Sequence, residues 1–183
     1  MKKNILSLAI LAITCFSCST KTDTFAISKN SIGNLTSTTQ IKDLETVFKN
    51  DSIVKFNPGG EFTTSFNEIE IFEKGGQKLL TLTPKTLNDS TSLVSSVQVF
   101  DSRFKTDKNL SSISTFKDIQ TNYKISSIDN LINSVVVSVN ELNASFTIDK
   151  KELPSNLRFD MKLNIEASQI PDTAKIKYFF LNW

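Results

Sequence analysis

Apolar residues are spaced along this chain in three ways, and each spacing predicts a different element. One largely apolar run, Ile5–Phe16, follows Lys2 and Lys3 at the start of the chain. Two short stretches have apolar residues three and four positions apart, which is typical of a helix with one buried face. Much of the remaining chain alternates apolar and polar residues, which is typical of strands that rest one face on a core. We therefore expect a leader followed by a domain of two helices and many strands.

The helices are predicted at residues 40–49 and 115–123. Their apolar faces consist of Ile41, Leu44, Val47 and Phe48 in the first stretch and of Phe116, Ile119 and Tyr123 in the second. Thr39 and Ser114 precede them at positions where a side-chain oxygen could cap the first free amides. Asp43 and Asp118 fall near the first turn, where the helix dipole favours negative charge.

The two helical stretches are also related by an internal repeat with a constant offset of 75 residues. The matched segments are Asn34–Ser37 with Asn109–Ser112, Ile41–Leu44 with Phe116–Ile119, and Phe48-Lys49 with Tyr123-Lys124. The agreement extends over sixteen residues without a gap. A fixed offset of this kind predicts that one supersecondary unit occurs twice.

Strands are predicted on both sides of each helix. Their ranges are Thr24–Ser28, Ile53–Phe56, Glu61–Phe72, Lys78–Thr83, Leu93–Phe104, Val135–Asn140, Ala144–Asp149, Arg158–Ile165 and Ile176–Trp183. Gly75-Gly76 predicts a hairpin that pairs Ile69 and Ile71 with Leu80 and Leu82. Phe62, Thr64 and Phe66 have the opposite parity to Ile69 and Ile71, so a bulge is expected near Asn67-Glu68.

These elements predict the α+β class, with two tandem β-α-β-meander repeats. The first repeat is expected at about residues 24–96 and the second at about 97–183 of a single domain. Short connections predict antiparallel pairing. The two short helices are expected to pack on one curved antiparallel sheet. The apolar run that ends the chain is expected to be a strand inside the core or at its rim.

The opening run is too short to span a membrane as a helix, and it has the basic start and apolar centre of a secretory signal. Cys15-Phe16-Ser17-Cys18 resembles a bacterial lipobox, in which the cysteine after a small residue becomes the lipidated N-terminus. Residues 1–17 are thus predicted to be a lipoprotein signal peptide, and residues 18–23 a lipidated tether that begins at Cys18. The resemblance implies three acyl chains, enough for a stable anchor.

Two alternatives to this interpretation remain open. Cys15 competes with Cys18 as the lipidated residue, although Ser17 favours Cys18. The second alternative is that the segment is an ordinary secretory signal or an uncleaved anchor, with no lipidated cysteine. If the sorting rule of enteric bacteria applies, Ser19 favours the outer membrane over the inner one, on its periplasmic or its surface face.

Removing residues 1–17 changes the charge of the chain. Of the 21 basic residues, Lys2 and Lys3 leave with the signal, so 19 remain against 19 acidic residues in a mature chain of 166 residues. A net charge of zero gives no basis for nucleic acid binding. The chain has no histidine, which excludes Ser-His-Asp and Cys-His catalysis and histidine-ligated metal. With five glycines and no glycine-rich phosphate loop, the sequence predicts no cofactor, metal site or catalytic residue.

Acidic residues near the predicted strands are the one set that could carry chemistry. Glu68, Glu70 and Glu73 lie close together, and Asp101 falls in the later predicted strand Leu93–Phe104. A pair of carboxylates about 5–10 Å apart could hydrolyse a glycoside. Alternation with Ile69 and Ile71 instead predicts that Glu68 and Glu70 lie on a solvated sheet face.

Aromatic residues near the end of the chain predict an interaction surface. Phe179 and Phe180 are adjacent, so on a strand their rings lie on opposite faces of the sheet. If the helices cover one face only, one of these rings is exposed, together with Tyr178 or Trp183. An exposed aromatic patch on Tyr178, Phe180 and Trp183 would mark a partner site. The alternative is a sheet that is covered on both faces.

The segment Ser31–Leu35 through Phe48 resembles segments in small bacterial lipoproteins of unknown function with a tandem helix-plus-sheet repeat. The tandem plan is also similar to that of the beta-lactamase inhibitor protein, without shared residues. These resemblances imply no catalytic residue.

The expected function is therefore that of a lipid-anchored, non-enzymatic protein of the cell envelope that contacts a partner protein there. The alternative is binding of a glycan or lipid in the concavity of the sheet. A hydrolase that uses Glu68, Glu70 or Asp101 is the least favoured hypothesis.

Overall fold

The computed structural model describes residues 23–55 and 68–183. Within these residues the chain belongs to the α+β class, consists mostly of strands and has two short α-helices. The strands are β1 Ala26–Ser28, β2 Ser31–Ile32, β3 Leu35–Thr36, β4 Asp51–Lys55, β5 Ile69–Glu73, β6 Lys78–Pro84, β7 Val94–Val99, β8 Lys105–Thr106, β9 Ser127–Asn130, β10 Ser134–Val139, β11 Ala144–Asp149 and β12 Ile176–Asn182. The helices are α1 Leu44–Val47 and α2 Phe116–Asn122. The predicted signal peptide, Cys18 and the bulge at Asn67 lie outside the described residues.

One large antiparallel sheet has eight strands in the described part of the chain, in the order β4-β5-β6-β7-β12-β11-β10-β9. The predicted hairpin is confirmed, because Ile69 pairs with Leu82 and Ile71 with Leu80. Gly75 and Gly76, at φ 126° and 95°, make the turn in backbone conformations that favour glycine. Each half of the chain contributes a four-stranded meander, and the two meanders join where β7 pairs with β12.

A second, smaller sheet has the order β3-β2-β1-β8, so the prediction of one curved sheet is wrong. Its strands are only two or three residues long and show no alternation that a sequence pattern could reveal. β1 pairs with β8 in parallel, which contradicts the prediction of antiparallel pairing throughout. Gly33 turns the chain between β2 and β3 with φ 54°.

Both helices lie within their predicted ranges, but they are shorter. A 3-10 turn, Ile41–Asp43, precedes α1. Thr115 caps α2 in a capping box with Asp118, not the predicted Ser114. The hydroxyls of Thr39 and Ser114 instead accept hydrogen bonds from the backbone amides three residues earlier, each at 3.1 Å.

Two strand predictions are wrong. Arg158–Ile165 is irregular after a 3-10 turn at Ser155–Leu157. Within it Ile165 is buried, but Phe159 and Met161 are exposed, so burial does not alternate as in a strand. β9 was not predicted, because Ser127–Asn130 is mostly polar. β7 also ends before its predicted limit, since the Asp101 carboxylate accepts from the Arg103 amide at 2.8 Å and turns the chain.

The core lies on one face of the large sheet. Leu44 of α1, Phe116 of α2 and Leu35 of β3 belong to the same cluster of buried residues as Phe146 and Phe179. The helices and the small sheet therefore cover that face, which we call the core face.

Hydrogen bonds around the two helices occur at matching positions. The matched backbone bonds are Ile41 N to Ser92 O (2.9 Å) with Phe116 N to Ala174 O (2.8 Å), and Lys42 N to Ser90 O (2.8 Å) with Lys117 N to Asp172 O (3.0 Å). Isolated antiparallel bridges join Gln40 to Leu93 and Thr115 to Lys175. The donors in these pairs are 75 residues apart, as in the sequence repeat.

Candidate functional site

The last strand places aromatic rings on both faces of the large sheet. Phe179 and Leu181 are fully buried on the core face. Tyr178 and Phe180 alternate with them and lie on the opposite face, here called the outer face. Tyr178 is 42% exposed, and its ring meets that of Phe180 edge-on at a centroid distance of 6.3 Å. Of the two adjacent phenylalanines, Phe180 is thus the one that reaches the surface.

Small polar side chains surround this aromatic pair. Phe180 lies opposite Gln98 on β7 and Ser145 on β11, and Tyr178 lies opposite Thr147. Directly opposite residues point to the same side of a sheet. Hydroxyl and amide groups of this kind can both donate and accept hydrogen bonds. The outer face therefore combines apolar contact area with polar groups that can orient a bound molecule.

Trp183 does not join this surface, although the sequence analysis grouped it with Tyr178 and Phe180. It follows the parity of Phe179 and Leu181 and packs partly buried against the core. Its indole Nε1 donates to the Lys29 carbonyl at 3.1 Å, which fixes the end of the chain to the β1–β2 turn. The structure therefore gives Trp183 a packing contact within the domain.

Asp101, a residue of the hydrolase hypothesis, is held in an ion pair. Its carboxylate accepts from Nε and Nη2 of Arg103 at distances between 2.7 and 3.1 Å and from Gln77 Nε2 at 2.8 Å. Burial acts to raise the pKa of Asp101, but the hydrogen bonds and charge of Arg103 outweigh it and lower the pKa. A carboxyl with a lowered pKa is poorly suited to donate a proton as a general acid near neutral pH.

The glutamates near β5 are likewise engaged with cations. Glu70 forms an ion pair with Lys78, and Glu73 accepts from Arg103 Nη1 at 2.9 Å. Ile69 and Ile71 are buried while Glu70 is partly exposed, as the alternation predicted. Glu68 lies next to the segment outside the described residues.

A basic cleft of about 770 Å³ lies at one end of β11 and β12. Four cationic side chains line it, namely Lys150, Lys151, Arg158 and Lys177. Sequence analysis found no cluster of positive charge, because Lys177 is distant in sequence and reaches this site only through the pairing of β12 with β11. The adjacent Lys150-Lys151 pair was the available signal. Ile132, Phe159 and Met161 add apolar side chains to its rim.

Within residues 23–55 and 68–183, no group of three or more acidic or cysteine side chains is placed to hold a metal ion. No helix in this part of the chain is long and apolar enough to cross a membrane.

Comparison with known proteins found similarity at the level of structure. No known protein family matches the chain, and no curated protein matches its sequence. The crystal structure of the uncharacterized protein yfeY from Escherichia coli is similar, with a TM-score of 0.52 and 14% sequence identity. The alignment covers 86% of this chain and 99% of that one. At this identity the similarity shows the fold alone.

Proposed function

We propose that this protein is a lipid-anchored, non-enzymatic component of the cell envelope that binds a partner protein through the outer face of its large sheet. The observation that carries this proposal is the contact between exposed Tyr178 and partly exposed Phe180 on a face that lies opposite the helices and the small sheet. Aromatic side chains are enriched at protein interfaces because they bury a large area with little loss of side-chain freedom. The hydroxyl and amide groups around the pair can orient the partner protein through hydrogen bonds.

Site-specific photocrosslinking in intact cells tests the proposed surface. A photoreactive residue in place of Tyr178 is expected to give one discrete adduct, whereas the same residue in place of Ile113, which is 75% exposed elsewhere, gives none. Phe180→Ser should abolish the adduct while leaving the folded domain intact by circular dichroism. An adduct of equal yield from both positions, or one that survives Phe180→Ser, contradicts the proposal.

The same experiment separates the alternative ligands. A glycan or lipid bound in the concavity of the sheet would produce a heterogeneous mass shift or a small one, in place of a protein-sized adduct. The hydrolase hypothesis has the least support, because Asp101, Glu70 and Glu73 each engage a cation. We accordingly propose no catalytic residue.

The lipid anchor is supported by the lipobox-like sequence and is tested by palmitate labelling. Cys18→Ala should abolish incorporation of the label, and the matched variant Cys15→Ala should retain it. The opposite pattern would move the anchor to Cys15. Separation of inner and outer membranes by density tests the proposed outer-membrane location.

We also infer that the domain arose by tandem duplication of a β-α-β-meander unit. The matched hydrogen bonds around the helices support this inference. The centre of the large sheet supports the same inference. There Gln98 of β7 lies opposite Phe180 of β12, and this pair is flanked on either side by Val97 with Leu181 and by Val99 with Phe179. Each strand thus meets its counterpart across an approximate two-fold axis. Superposition of the two halves, helix on helix and β4–β7 on β9–β12, tests it; a mismatch of strand order would refute it.

A further inference from the structure

The basic cleft contains more positive charge than the protein neutralises. Its one acidic residue, Asp149, accepts from the Lys151 amide at 3.0 Å and from Lys177 Nζ at 3.1 Å. These hydrogen bonds lower the pKa of Asp149, so the carboxylate stays ionised at neutral pH. Four cations against one carboxylate leave an excess of three positive charges around the cleft.

Lys150 is the least expected of these cations. Its side chain is only 4% exposed, and its Nζ has no hydrogen-bond partner among the residues that the structure describes. A buried ammonium group without a partner is unfavourable unless an anion approaches it. Lys150 also lines the cleft, so its charge adds to the positive potential that an anionic group entering there would meet.

Apolar side chains stand out from the rim of the same cleft. Phe159 is 88% exposed, Ile132 is 70% exposed and Met161 is 54% exposed. Three large apolar side chains on neighbouring loops form a patch of the kind that marks an interaction site. Apolar side chains bordered by lysine and arginine are typical of surfaces that insert into the headgroup region of an anionic bilayer.

The position of the cleft relative to the start of the domain favours the membrane as the occupant. Phe25, at the start of the described chain, meets Phe104 edge-on at a ring-centroid distance of 5.0 Å, just beyond the end of β7. Because β12 is antiparallel to β7, it begins at that same end of the sheet, and the cleft lies there beside Lys177. β11 is two strands from β7, or about 10 Å at the usual strand spacing.

The predicted tether keeps this end close to the bilayer. From Cys18 to Asp23 the chain can extend by at most roughly 18 Å. So short a tether keeps the N-terminal end of the domain next to the lipid surface. The cleft lies at that same end of the sheet, so it faces the lipid too.

We propose that the basic cleft and its apolar rim form a second contact between the domain and the anionic surface of the membrane that holds its anchor. This inference rests on the proposed lipid anchor. The docked domain would have a fixed orientation, in which the cleft faces the bilayer and the four cations lie at the level of the lipid phosphates.

Hydrogen–deuterium exchange of the purified, acylated chain in vesicles tests the docking. Mass spectrometry first counts the acyl chains, so a failed anchor is recognised independently of docking. The amides of residues 131–133 and 150–161 are expected to exchange several-fold more slowly in vesicles containing phosphatidylglycerol than in pure phosphatidylcholine. Residues 85–92, around Leu87, which is 58% exposed between β6 and β7 at the opposite end of the sheet, should exchange at the same rate in both.

Matched variants sharpen the test. Ile132→Ser and Lys151→Gln should each remove most of the difference between the two kinds of vesicle, whereas Leu87→Ser, at the opposite end of the sheet, should not change it. These side chains are exposed or at the cleft edge, and thermal unfolding will verify that each variant keeps its fold. Equal exchange in both vesicles, with the acyl chains present, overturns the docking and leaves the anchor. Protection by inorganic phosphate alone, without vesicles, also overturns it, since the cleft would then be a site for a small soluble anion.

Discussion

Phe179 and Phe180 are adjacent and chemically identical, but they lie on opposite faces of the large sheet, so replacing each by alanine tests the assignment of those faces. The ring of Phe179 is fully buried and packs on Phe146 at a centroid distance of 4.7 Å. Its removal loses the transfer free energy of the ring and leaves a cavity, which together cost about 3–5 kcal/mol. Phe180 is only partly buried. About two thirds of the roughly 1.5–3 kcal/mol of a complete burial gives an expected loss of about 1–2 kcal/mol for Phe180→Ala.

Urea denaturation followed by far-UV circular dichroism measures both losses. A domain of this size has an unfolding free energy of about 5–15 kcal/mol, so Phe179→Ala should shift the midpoint far more than Phe180→Ala. Combining Phe146→Ala with Phe179→Ala in a double-mutant cycle should give a coupling of about 0.5–1.5 kcal/mol for the ring pair.

The reasoning fails if the two single variants lose equal stability. A loss of about 3 kcal/mol or more for Phe180→Ala would mean that the outer face is covered like the core face. The proposed binding surface would then lose its basis, since Tyr178 and Phe180 would have a packing role. A small loss for Phe179→Ala would instead contradict the register of β12.

Three other predictions concern the framework of the domain. Gly33→Ala should destabilise the protein more than Gly75→Ala, because both positions have a positive φ but only at Gly33 would a Cβ lie 2.3 Å from the Thr24 carbonyl oxygen; equal melting temperatures would contradict this. Because the pKa of Asp101 is lowered, its contribution to stability is complete above the ordinary carboxyl pKa of 3.8 and is lost as the pH falls through the lowered value. Urea midpoints from pH 7 to pH 2 should therefore fall less steeply in Asp101→Asn than in the native chain, and identical slopes would refute the assignment. Thr115→Ala should cost about 1 kcal/mol through loss of the capping box of α2, measured by the same unfolding assay; no loss would show that the box does not stabilise the helix.

The residues that the sequence placed correctly are those whose structure depends on near neighbours. The hairpin at Gly75-Gly76 follows from turn chemistry and flanking alternation, and its register is as predicted. The strand Ala144–Asp149 was predicted with its observed limits because its alternation is regular. The helices were located by their apolar spacing, although their ends depend on caps that sequence alone misplaced by one residue.

The predictions from sequence that failed concern features that depend on contacts between distant segments. In Arg158–Ile165 only Ile165 is buried, whereas Phe159 and Met161 are exposed, and the segment forms no strand. The small sheet consists of strands too short to show a period. Trp183 was predicted to belong to an exposed aromatic patch. Its indole instead donates to the carbonyl of Lys29, which is 154 residues earlier in the chain.

The sequence by itself located the two helices, the hairpin at Gly75-Gly76 and the segment that resembles a lipobox, because hydrophobic period, turn residues and motif spacing are local properties. Only the tertiary structure decided which strands meet at the centre of the large sheet, which aromatic ring reaches the outer face and which cations gather in one cleft. Antiparallel pairing of β12 with β11 brings Lys177 beside Asp149, and its pairing with β7 leaves Phe180 on the outer face. Such pairings are selected by the burial of apolar area over the whole domain, and no local pattern in the chain specifies that choice.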